Sequence, residues 1–77
     1  MAMHGNEVND MADEITRKRM RGAILTARDV IAAARVNGED VKEPERLLSE
    51  ALAASYRLDY IRAYNLAKKA TDIVVRG

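Results

Sequence analysis

Apolar residues in this chain recur at helical spacing in three separate stretches. From about Asp10, the first stretch opens with Met11 and Ile15. Met20, Ile24, Ala27, Ile31 and Ala34 then follow at intervals of four, three, four and three, and Ala23 and Val30 widen the stripe. That is the core face of a bundle helix or a coiled-coil seam. The five-residue step from Ile15 to Met20 turns the two halves of the stripe in different directions. Gly22, inside the pattern, costs about 1 kcal/mol relative to alanine. The expectation is therefore an unbroken, gently bent helix whose first turns project past the rest. Asn37-Gly38 stops it, with Gly38 placed for the left-handed residue of a C-terminal cap.

The second stretch starts near Pro44, whose missing N–H costs nothing in a first turn, flanked by Glu43 and Glu45, which complement the helix dipole. Val41, just upstream, can fold over Leu47 or Leu48 as a hydrophobic staple. Leu47, Leu48, Ala51, Leu52 and Ala54 form the core face, and the helix ends near Arg57. Asp59 is placed to cap a third helix from Tyr60 to Val75, in which Ala63, Ala67 and Ala70 make a smooth stripe among Tyr60, Tyr64, Ile73 and Val74. A stripe of small residues lets a neighbouring helix approach closely. The link between the second and third helices is so short that they must be antiparallel neighbours.

The pattern thus predicts an all-α fold: a three-helix up-down-up bundle with a long first helix and a C-terminal αα-hairpin, the helices covering about 10–36, 44–57 and 60–75. Residues 10–77 form a single domain. Residues 1–9, small and polar without periodicity, read as a disordered leader.

Composition sharpens this. A chain of 77 residues is one domain at most, near the size where one core supplies only a few kcal/mol of net stability. With no Cys, Trp or Phe, a disulfide framework and a cysteine-built metal site are excluded. Alanine contributes 13 residues, and an alanine core buries less area per residue than one of Leu and Phe. Close-packed thin helices meet that constraint, and so does self-association that adds buried area; a homo-oligomer is expected. The opening Met-Ala-Met-His-Gly lacks the apolar stretch of a signal peptide, and no window approaches the ~20 apolar residues of a membrane span. A cytoplasmic location away from membranes follows as an expectation.

No catalytic residues are expected. The one histidine, His4, sits in the leader and reads as a frayed terminus or an expression scar. Thr16, Thr26, Ser49, Ser55 and Thr71 have no evident activating base. Ser49 adjoins Glu50, but consecutive helix positions do not face each other. Glu39/Asp40 and Glu43/Glu45 flank a helix start, where capping accounts for them. There is no glycine-rich phosphate loop and no spaced ligand set, so neither a metal nor a cofactor is expected.

Charge is distributed in blocks. Residues 1–14 carry four acids and no base, residues 15–35 six bases and one acid, and the remainder alternates more weakly around a net charge of +1. The sharpest cluster is Arg17-Lys18-Arg19 with Arg21. At ~100° per residue these four surround the helix axis and make no single stripe. With Arg28 they are candidates for contact with an anion, a nucleic acid or an acidic partner surface. The alternative is a solvated helix end held by Asp13–Arg17 and Glu14–Lys18 pairs, both in the favourable acid-first order. Tyr56, Tyr60 and Tyr64 lie four apart around the hairpin turn and are the whole aromatic inventory. They line the hairpin, or they form a shared aromatic patch for a protein partner.

The turn Leu58-Asp59-Tyr60, followed by Ala63, Ala67 and Ala70, resembles the hairpin of tetratricopeptide-repeat families, in which Gly-Asp-Tyr precedes alanines at similar spacing. The resemblance covers about 30 residues. Leu58 replaces the usual glycine, the Trp and Leu-Gly marks of a true repeat are missing, and the chain holds a single copy where about three are needed for a stable stack. The run from Gly38 to Leu48, followed by Asp-Tyr and the spaced alanines, also looks like hairpins of uncharacterised archaeal proteins. The absence of Cys and Gln and the arginine-rich charge set fit a thermophilic source. What these resemblances imply is scaffolding or protein binding. The leading expectation is a non-enzymatic protein–protein interaction module that self-associates; the alternative is a nucleic-acid accessory protein using the basic cluster of the first helix.

Overall fold

The computed structural model describes the backbone of residues 2–77 and the side chains of residues 13–77. Three helices follow one another, α1 (Ala2–Val36), α2 (Lys42–Tyr56) and α3 (Tyr60–Arg76), and among the described residues there is no strand. The all-α three-helix bundle is as the apolar periodicity predicts. α1 is assigned from Ala2 instead of Asp10. The disordered-leader reading of residues 1–9 and the reading of His4 fall on residues whose side chains lie outside the described ones.

The helix ends follow from local chemistry. At the end of α1, Gly38 has φ +81°, its N–H donates to the Arg35 carbonyl, and the Glu39 N–H reaches back to Ala34. This crossed pair of bonds is a Schellman cap, and glycine supplies the left-handed residue without steric cost. The end of α2 repeats the geometry. The Leu58 N–H donates to Ser55 and the Asp59 N–H to Ala54, with Leu58 itself at φ +65°. A leucine there carries the clash between Cβ and carbonyl that glycine avoids, a cost of roughly 1–2 kcal/mol. Leu58 is 70% exposed, so little burial offsets that cost. Leu58→Gly is expected to stabilise the domain by about 0.5–1 kcal/mol, after the extra freedom of glycine in the unfolded chain is deducted. A higher urea midpoint is the readout.

Helix starts agree with the sequence less literally. Asp59 caps α3, its carboxylate accepting from the Arg62 N–H at 3.4 Å. α2 begins two residues before Pro44, at Lys42, whose N–H donates to the Asp40 carboxylate at 3.0 Å. Val41 is therefore the cap residue itself instead of an upstream staple, and its side chain is buried with the core. Pro44 still falls within the first turn, where no helical N–H is lost. The exposed face of α2 carries Arg46 between Glu43 and Glu50, and the Arg46 guanidinium holds the Glu43 carboxyl below the usual carboxylate range. Arg35 and Glu45 pair across the first turn of the bundle, joining the end of α1 to the start of α2.

The core is built largely from alanine. Ala23, Ala27, Ala34, Ala51, Ala54, Ala63, Ala67 and Ala70 are all buried, and the large buried side chains are Met20, Ile24, Ile31, Val41 and Leu47. The stripe Ala63, Ala67, Ala70 is wholly inaccessible to solvent. α3 carries that stripe and packs against both other helices, whereas α1 and α2 meet only over a short length. α3 is thus the centre of the bundle. Gly22 lies on the outside of α1, and a Cβ there would meet nothing within 4 Å. Gly22→Ala should raise stability by about 1 kcal/mol, visible as a higher melting temperature.

Candidate interaction surface

Because α1 and α2 hardly touch, a groove opens between them, closed at its base by α3. It has a volume of about 500 Å³. Met20, Ile24 and Leu25 line it from α1, Leu52 and Ser55 from α2, and Tyr60 from the start of α3. Leu52 was expected in the core with Leu47 and Ala51. It is 37% exposed instead, because α1 does not come close enough to cover that flank of α2. Leu25, on the opposite wall, is 53% exposed. The groove therefore shows solvent two leucines and the edge of an isoleucine–methionine layer.

Its rim is basic. Arg17 and Arg21 border it, and the Arg17 guanidinium lies over the Tyr60 ring at 5.5 Å from the centroid, within cation–π range. The Asp13–Arg17 and Glu14–Lys18 pairs of the solvated-end reading are not among the ion pairs of the described residues, which are Arg35–Glu45, Arg46–Glu43 and Arg46–Glu50. Arg17 turns to the aromatic face on α3, a partner that only the tertiary arrangement brings near. At ~100° per residue, Arg17, Arg21, Arg28 and Arg35 fall within about 40° of one another around α1. Arg35, at the far end of this row, pairs with Glu45 of α2. The row thus runs along the edge of α1 that looks toward α2.

The other sequence candidates are separated. Lys18 and Arg19 are exposed and leave the row, and Arg19 borders a smaller cleft of about 240 Å³ between α1 and α3 together with Tyr64 and Lys68. Tyr60 and Tyr64 are half-buried and rest against the core, one at each cleft. Tyr56 ends α2 at 84% exposure, and Leu58 and Ile61, which follow it in the chain, are exposed as well. The three tyrosines do not form a single patch. Leu25 and Leu52, which apolar periodicity assigned to no role or to the core, are the residues that sequence reasoning missed. Their signal was present in Leu25, which lies well off the centre of the α1 stripe.

Among the described residues, no group of three or more His, Cys, Asp or Glu side chains is placed to hold a metal ion, and no helix is long and apolar enough to cross a membrane. Fold and groove together define a three-helix bundle with one open side. Neither a protein-family model, nor a curated protein, nor a solved structure matches the chain.

Proposed function

We propose that this chain is a non-enzymatic protein–protein interaction or scaffolding module that self-associates, and that the α1–α2 groove is its contact surface. The observation that carries the reading is the groove itself: Leu25 and Leu52 stand exposed on its walls over the buried Met20 and Ile24, in a domain whose alanine core buries little area. Filling that groove with another helix would complete a four-helix bundle and cover both leucines. The likeness of the α2–α3 hairpin to tetratricopeptide units supports the same reading, since such units bury their faces against neighbours. Sedimentation of the chain across a concentration series tests it. Association that Leu25→Glu and Leu52→Glu each weaken is the expected result. A strict monomer at high micromolar concentration overturns self-association.

A second reading, a nucleic-acid accessory protein, rests on the exposed arginine row of α1. It predicts binding to duplex DNA that falls steeply with salt as counterions are released, and that Arg17→Ala and Arg21→Ala weaken. No gel shift at low ionic strength would end it.

A further inference from the structure

Resting on the self-association reading, we infer that the occupant of the α1–α2 groove is the acidic first half of α1 from a second copy, docked antiparallel about a two-fold axis near Ile15. The sign of charge along α1 changes between Glu14 and Arg17. Before that point stand Glu7, Asp10, Asp13 and Glu14, with no base, and after it the row Arg17, Arg21 and Arg28. A two-fold axis at that boundary sets the acids of each copy against the arginines of the other, twice over, with the same surface used on both sides. This is the self-complementary contact that cyclic dimers require.

The length of α1 fits this occupant as well. α1 has 35 residues, about 52 Å at ~1.5 Å per residue, against about 22 Å for the 15 residues of α2. Residues 2–14 of α1 are therefore nearly as long as the α2 wall they would lie along. Within each half of such a dimer, α1, α2 and α3 of one chain and the α1 extension of the other make a four-helix bundle.

Charge reversal and cross-linking on the full chain test the docking. Reversing the row (Arg17→Glu, Arg21→Glu, Arg28→Glu) should weaken self-association about ten-fold or more, while a control with the same charge change on other faces (Arg19→Glu, Arg62→Glu, Lys69→Glu) should not. Circular dichroism confirms that both variants remain folded. The chain contains no cysteine, so Asn6→Cys and Leu25→Cys variants can be mixed and bridged with a short bis-maleimide. These positions are about 28 Å apart along one helix and come together only across an antiparallel pair. The mixed product is expected to exceed the Leu25→Cys homodimer several-fold. If the chain self-associates but the row reversal acts no more than the control, or the mixed product does not dominate, this docking is overturned and self-association through another face stands. If the chain is monomeric throughout, both fall.

Discussion

Ala67→Arg is expected to abolish the fold under conditions where the parent chain is fully helical. Ala67 has no solvent exposure and sits in the middle of the α3 stripe, against which the other helices pack. An arginine there has no room, and overpacking alone costs about 1–3 kcal/mol. No buried acid stands near it, since no buried polar or charged residue occurs among those described. An unpaired buried charge adds roughly 3–5 kcal/mol. Together these exceed the few kcal/mol that a domain of this size holds. Far-ultraviolet circular dichroism on heating reads the effect, and Ala53→Arg, on the exposed side of α2, serves as the control that should melt like the parent. Unchanged melting of Ala67→Arg would refute the close-packed role of the stripe.

Leu47→Ala should cost about 2–4 kcal/mol and bring the urea midpoint close to zero. In a core lined by alanine, few side chains fill volume, and Leu47 is the one large α2 residue that is fully within it, at 3% exposure. Its neighbours grade the effect. Leu48 is half-buried and packs against the core from its edge, so Leu48→Ala should cost less. Leu52 faces the groove, and Leu52→Ala should be close to neutral for the folded monomer. Equal losses at all three positions would show that α2 buries a broader face than the structure gives it.

What the sequence made legible was whatever local chemistry decides. Asn37-Gly38 and Asp59 mark helix ends through cap bonds that form within five residues, so both could be read without knowing the neighbours. The alanines at 63, 67 and 70 were legible for a related reason, since small residues at helical spacing have few uses other than close approach. The groove was not legible. Leu52 belongs to the apolar periodicity of α2, and only the distance of α1 from α2 leaves it open. Arg17 was matched to Asp13 by sequence spacing, yet its actual neighbour is Tyr60, more than forty positions away. The conformation of Leu58 was not legible either. Its residue type argues against a left-handed turn, and the Schellman bonds at Ala54 and Ser55 impose one regardless.

The central place of α3 also has a consequence for the order in which this domain assembles. α1 and α2 share little contact, so the first two helices emerging during synthesis have little core to form between them. The hairpin of α2 and α3, closed by a three-residue turn, is the local and therefore fast step. α1 then has a stripe to dock on. Until α3 exists, α1 and α2 lack the helix against which each makes most of its contacts.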